Sequence, residues 1–220
     1  MQPNYIATVS GSTQGVTGDS NTDLSAVNIA DRLEAAGITW GAYAEGLDTG
    51  CDTAARVGAY ARKHEPFISF KSISGNKTRC SSHIHPASQF ASDLSNGNLP
   101  QYVFFTPDMN DDGHDTNTTY AGKWMNNFMN KYNDFFQSTN TVVQLTFDET
   151  ETYSAPNSVY SVILGGAVDD NKVGTTDSAN YNHYSFLRTI EANWNLASMQ
   201  SGDANATPFD GVRRDTTLCG

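Results

Sequence analysis

Asp148 and Glu149 stand side by side at the end of an apolar run, TVVQLTFDE, from Thr141 to Glu149. Adjacent carboxylates repel and resist desolvation, so at the tip of a buried strand a cation or a proton transfer is what normally retains them. Ligands of open α/β sheets bind just beyond the carboxyl ends of the strands. A solvated loop would also account for the pair, since Glu151 follows closely. A second polar run, PDMNDDGHDT, follows the apolar stretch Gln101–Thr106 and sets Asp111, Asp112, His114 and Asp115 beyond another strand end. Carboxylates and imidazole delivered from two strand ends to one edge are how a metal or phosphate site is assembled on a rigid scaffold. The segment Asp108-x-Asn110-x-Asp112-Gly113 imitates the opening of a calcium-binding helix–loop–helix. Position twelve is Thr119 rather than Glu and no helix leads in, so that reading fails.

Three further histidine settings carry chemistry by type: His183 in YNHYS, His64 in RKHEPF, and the pair His83-x-His85. Taken one at a time, His64, His114 and His183 fit a hydrogen-bonded structural role, and they gain weight only by converging. The His83/His85 pair, set among Ser and Pro, reads as a surface loop.

The elements that must position these residues alternate between strand and helix. Leu24–Ala36 reads as a helix with Val27, Ala30, Leu33 and Ala36 on one face and Gly37 at its C′ position. Ile38–Tyr43 reads as a strand, Pro66–Phe70 as a possible strand in a loop-rich insertion, and Ala87–Leu94 as a short helix. Gln101–Thr106 is a buried strand. From Thr118 to Phe136 the residues Tyr120, Trp124, Phe128, Tyr132 and Phe135 form an apolar helical stripe, which is packing. Thr141–Phe147 and Val159–Leu164 add two strands, and Tyr184–Trp194 a final helix. The chain past Met199 turns polar and reads as a loosely ordered tail. Such alternation predicts an α/β sandwich with a mostly parallel sheet, one domain over residues 1–198 with a tail at 199–220.

The 220 residues carry a formal net charge of -11, which argues against nucleic acid as a partner because phosphate backbones are held by Lys and Arg. A small phosphorylated substrate remains compatible if a metal offsets its charge. No apolar run is long enough to span a membrane, and the first residues show no signal-peptide pattern. Cys51 and Cys80 could bridge, leaving Cys219 unpaired, and three free thiols fit equally well. Glycosylation sequons occur at Asn76, Asn117 and Asn205, in a composition rich enough in Asn, Ser and Thr to produce them by chance.

Taken together, the runs PNYIATVSGST, IADRLEAAGITWGAYAEG, ARKHEPFISF, LPQYVFFTPDMNDDGHDT, LTFDE, VYSVILGGAV and YNHYSFLRTIEANW resemble the phosphoesterase family of acid phosphatases and phosphate-releasing phospholipases C. They come in the family's order from Pro3 to Leu196, and KHEPF and DGHDT resemble its fungal acid phosphatase branch, which is secreted or cell-wall associated. The resemblance implies an alkaline-phosphatase-like α/β/α sandwich and a metal-activated Ser or Thr that attacks phosphorus. A hydroxyl is a poor nucleophile at its free pKa, so a cation that holds it as an alkoxide has a physical purpose.

By resemblance, Asp148 and Glu149 are metal ligands. His114 contacts phosphate or protonates the leaving oxygen, and Asp115 orients it. His183 acts beside them, and Asn4 and His64 line the substrate pocket. Carboxylate ligands suit Ca²⁺, Mg²⁺ or Mn²⁺. A phospholipase C-type phosphodiesterase and a non-catalytic remnant that binds metal or phosphate are the alternative readings. The resemblance also aligns Met1 with the nucleophile and gives the family an upstream strand with further metal ligands. A chain lacking both is expected to be poorly stable or inactive by itself.

Overall fold

The computed structural model describes residues 1–152 and 156–213. They divide into two compact units, Met1–Trp124 and Met125 onward.

The first unit opens with helix α1 (Gln2–Ser10), which periodicity did not reveal. Its start is set by Pro3 in the first turn, where a missing N–H costs nothing, and its end by Gly11 at φ 75°, whose amide bonds Ala7 O. Helix α2 is shorter than expected, Ile29–Ala35, because Asn28 caps it reciprocally with Asp31. Val27 therefore lies outside the helix and is 48% exposed.

Strand β1 (Trp40–Ala44) is buried at all five positions. A hairpin follows, β2 (Arg56–Val57) with β3 (Tyr60–Ala61), and Gly46 lies so close beneath it that a Cβ would come within 2.7 Å of the Tyr60 amide. Pro66–Ser69 is a 3-10 helix rather than a strand. Pro66 starts it, and the Glu65 carboxylate accepts the Ile68 amide at 2.8 Å. Helices α3 (Lys71–Ser74) and α4 (Lys77–His83) lead into β4 (Ile84–Pro86), followed by α5 (Ser88–Ser95) and β5 (Tyr102–Thr106). The sheet runs β4-β1-β5, all parallel, with Ala42 opposite Ile84 and Phe104.

The His83/His85 pair is not a surface loop. His83 ends α4 and stacks on Trp40 at 4.3 Å, while His85 sits in β4 against Tyr43. Cys51 and Cys80 are bridged with Cα atoms 5.3 Å apart, closing a loop of 29 residues. Chain-entropy arguments give such a cross-link about 3–4 kcal/mol. Cys219 lies outside the described residues.

Helix α6 (Thr118–Ser138) crosses the boundary between the units. Within the second unit Phe128, Tyr132 and Phe136 keep ring contact, and Phe136 is the buried member; Tyr120 is 48% exposed and falls off the stripe. Strands β6 (Val143–Thr146) and β7 (Ser161–Leu164) form their own antiparallel pair. Gly165 follows at φ 109°, where a Cβ would come within 2.3 Å of Thr141 O. Helix α7 (His183–Asn193) starts one residue earlier than expected, on an Asn182/Ser185 capping box. Residues 199–213, expected to be loosely ordered, hold a 3-10 turn at Gly202–Asn205, buried Asp203 and a bridge from Val212 to Val168.

Candidate functional site

The carboxyl edge of the parallel sheet gathers one group of polar residues of the first unit. Glu45 follows β1 and its amide bonds Thr106 O at 3.0 Å. The Thr106 hydroxyl in turn donates to His64 O at 3.2 Å, tying the RKHEPF segment to the end of β5. Residues 107–116 then fold over this edge. The Asp108 carboxylate accepts the amides of Asn110 and Asp111, and Asp112 that of His114.

Within RKHEPF the side chains alternate. Arg62 is buried, held by the Asp23 carboxylate at 2.6 Å and by the carbonyls of Thr22 and Ile68. Lys63 turns outward and bridges Asp19 Oδ2 (2.8 Å) and His114 Nε2 (3.0 Å). His64 is 5% exposed; its ring stacks on Tyr5 of α1 at 4.9 Å and meets His114 edge-on at 5.6 Å. Its Nδ1 lies 2.8 Å from Asp112 Oδ2, off the hydrogen-bond axis, and neither atom has a directed partner. His114 Nδ1 faces Asp115 Oδ1 at 3.0 Å, and Asp115 Oδ2 meets Arg56 at 2.5 Å. Arg56 first, then His114, holds the Asp115 carboxyl below its ordinary value.

At the start of α1 the Asp19 carboxylate accepts the Gln2 amide at 2.9 Å, an anion at the positive end of a helix. Burial raises its pKa, but Lys63 and the Gln2 amide outweigh that and leave it below the usual range. Asn4 lies in this first turn, half-buried. Asn4, His64, His114 and Asp115 thus fall in one unit, on or beside the same sheet edge. Lys63, Asp19, Arg56, Glu45 and Tyr5 join them without having been singled out from the sequence.

The second unit gathers the other three residues. Asp148 and Glu149 follow β6, half-buried, and the His183 ring at the start of α7 bonds the Asp148 backbone. Burial lowers the His183 pKa despite these nearby carboxylates. Its Nε2 is buried without a hydrogen-bond partner. Two carboxylates and an orphaned imidazole nitrogen fit a hard or borderline divalent cation as part of a donor set. Among the described residues no three His, Cys, Asp or Glu side chains meet in a geometry that holds an ion.

The Phosphoesterase family profile matches residues 1–197. The chain belongs to the phosphoesterase family. It is 39% identical to a probable acid phosphatase of Kluyveromyces lactis, over 98% of this chain and 56% of the relative. It is 37% identical to an acid phosphatase of Aspergillus fumigatus, over 98% of this chain and 50% of the relative. A phosphatidylinositol-3-phosphatase of Mycobacterium tuberculosis is 29% identical, over 97% of this chain and 68% of that protein. The chain spans about half the length of the fungal relatives it matches.

Proposed function

We propose that this chain carries part of the centre of an acid phosphatase acting on small phosphoric monoesters. One observation supports this above the rest: Lys63, His64 and His114 gather beside the first turn of α1, where a phosphoryl group finds an ammonium, two imidazoles and a helix N-terminus. His114, oriented by Asp115, would contact a phosphoryl oxygen or protonate the leaving oxygen, as general acid catalysis requires. His64, fixed between Tyr5 and Asp112, would line the pocket with Asn4. Asp148 and Glu149 would hold a divalent ion, Ca²⁺, Mg²⁺ or Mn²⁺, with His183 beside them. Such an ion would offset charge on the phosphoryl oxygens and lower the pKa of an attacking Ser or Thr hydroxyl.

The α/β sheet with helices is consistent with an alkaline-phosphatase-like sandwich. The Cys51–Cys80 bridge and the exposed sequon residues Asn76, Asn117 and Asn205 support a secreted, glycosylated protein. Among the described residues no helix is long and apolar enough to cross a membrane.

The reading is tested with inorganic phosphate and an aryl phosphate. Phosphate added at pH 5 should shift the ring resonances of His64 and His114, and Lys63→Met should weaken binding about tenfold, the loss of one charge-assisted contact. With an aryl phosphate and added divalent ion, His114→Asn should lower kcat/KM by roughly 10²–10⁴-fold. Ring signals indifferent to phosphate, together with turnover indifferent to His114, would sink the assignment.

A further inference from the structure

Asp19 holds the Lys63 ammonium and the first turn of α1 with a single carboxylate. Its Oδ1 accepts the Gln2 amide at 2.9 Å, and its Oδ2 accepts Lys63 Nζ at 2.8 Å. The Gln2 side chain, 1% exposed, closes the arrangement from the other side. Its Oε1 accepts the Ser20 amide at 3.0 Å, and its Nε2 donates to Ser69 Oγ at 3.4 Å. Residues 19 and 20 are therefore pinned to a buried anchor by two reciprocal bonds. Lys63 Nζ continues the run to His114 Nε2 at 3.0 Å. An ammonium has donors only, so that nitrogen accepts. The neutral ring then carries its proton on Nδ1, facing Asp115 Oδ1 at 3.0 Å. Arg56 closes the far end on Asp115 Oδ2.

We propose that Asp19 is a positioning residue: it fixes the Lys63 ammonium between the first turn of α1 and His114 Nε2, where ammonium and imidazole can meet the same phosphoryl oxygen. Its functional meaning rests on the phosphatase reading, and its physical content on the contacts of Asp19 alone.

A lysine side chain turns about several bonds, so an ammonium that nothing holds samples a wide volume. Two of the three donors on Lys63 serve Asp19 and His114, and the third can turn to a phosphoryl oxygen. The chain reaches back to the start of α1 through Gly11 and Gly15, at φ 75° and 79°, which only glycine adopts freely. That return sets Asp19, seventeen positions past Gln2, beside its amide. A different role for Asp19 would be that of a resident anion, standing in for phosphate and leaving when phosphate arrives. The Gln2 anchor argues against it, because departure would strip partners from the Gln2 amide and, through Ser20, from a buried side chain. Burial raises the Asp19 pKa, but Lys63 and the Gln2 amide outweigh it, so the carboxylate is charged at pH 5 and holds Lys63 there.

The experiment compares the full 220-residue chain with Asp19→Asn, Lys63→Met and the double variant. Asp19→Asn keeps an acceptor for the Gln2 amide and removes the charge that holds Lys63. Without phosphate, at pH 8, the nuclear Overhauser contact between the Lys63 ε-methylene and the His114 ring should lose more than half its intensity in Asp19→Asn. Inorganic phosphate titrated at pH 5 should bind Asp19→Asn about threefold or more weakly than the wild type, part of the charge-assisted contact of Lys63. The sign is telling, since the substitution removes a negative charge from beside an anion, which by itself would tighten binding. In the Lys63→Met background Asp19→Asn should leave the affinity unchanged or raise it, because the ammonium to be oriented is gone. An undiminished Overhauser contact in Asp19→Asn, phosphate binding that is unchanged or tighter, or equal weakening in both backgrounds overturns the proposal. A wild type that binds no phosphate counts against the phosphatase reading, and the Overhauser comparison then decides the placement of Lys63 by itself.

Discussion

Stability should fall as the pH is raised from 5 to 8, the reverse of what salt-bridged carboxylates give. Glu65 is 1% exposed and caps the 3-10 helix at Pro66–Ser69; burial pushes its pKa up to about 7 although two amides and Arg62 pull it down. Glu191 of α7, also 1% exposed, is pushed to about 7 by burial and by Asp203, which hydrogen-bonds it. Glu45 behaves likewise. Below the ordinary glutamate value of 4.5 the proton is present in both folded and unfolded chains. Between 4.5 and about 7 the unfolded chain gives up its proton and the folded chain keeps it, so unfolding gains; above 7 the full penalty applies.

For Glu65 that penalty is at most about 3 kcal/mol. Glu191 pairs with the partly exposed Arg188 and Glu45 is only half-buried, so solvent screening reduces both. At about 2–4 °C per kcal/mol, the melting temperature should drop by roughly 10 °C between pH 5 and pH 8. Asp19, Asp115 and Asp203 have lowered pKa values and act in the opposite sense, losing stability only below the usual aspartate range. Scanning calorimetry across this window decides the matter: a melting temperature that is level or rising to pH 8 refutes it. Glu65→Gln should flatten the curve.

Trp40→Ala should cost about 3–5 kcal/mol, the range for deleting a buried aromatic side chain. Trp40 is 2% exposed at the head of β1, between Phe67 at 4.8 Å and His83 at 4.3 Å. Its indole N–H donates to Glu34 Oε1 at 2.7 Å, so truncation also strips a partner from a carboxylate oxygen that Arg79 Nε shares at 3.0 Å. The cavity opens in the layer between the sheet and the 3-10 helix that follows His64, so displacement of His64 is expected along with lost stability. Urea unfolding of the variant gives the cost directly; a loss below about 1.5 kcal/mol would mean that the layer repacks.

The sequence made the long and periodic elements visible. Helix α6 repeats its aromatic spacing from Trp124 to Phe136, over about three turns, and β1, β5 and β6 are apolar runs with clear ends, so local pattern suffices. Helix α1 escaped because PNYIATVSG has little amphipathic contrast; Pro3 in the first turn and Gly11 after the last were the available marks. The start of α2 was written in Asn28 and Asp31, a capping pair three residues apart. Pro66–Phe70 misled because its apolar residues are buried all round, which a short helix and a strand share.

The site divided along the same line. Asp111–Asp115 and Asp148–Glu149 are visible as charges at strand ends. Lys63, Arg56, Asp19 and Glu45 enter through contacts across some 44 to 79 positions, such as Lys63 to Asp19 and Trp124 to Glu45. No local window holds such pairs together.

The Cys51–Cys80 bridge has a kinetic side. Strand β1 must find β4, which begins at Ile84, and then β5, which begins at Tyr102, so the parallel sheet forms only after long loops have closed. The bridge lies inside the first of these connections and cuts the free path between β1 and β4 from about 40 residues to about a dozen, lowering the closure cost by roughly 1 kcal/mol. In the oxidised chain, β1 and β4 therefore form the early seam of the sheet. The edge that carries the 107–116 loop is added last, when β5 docks.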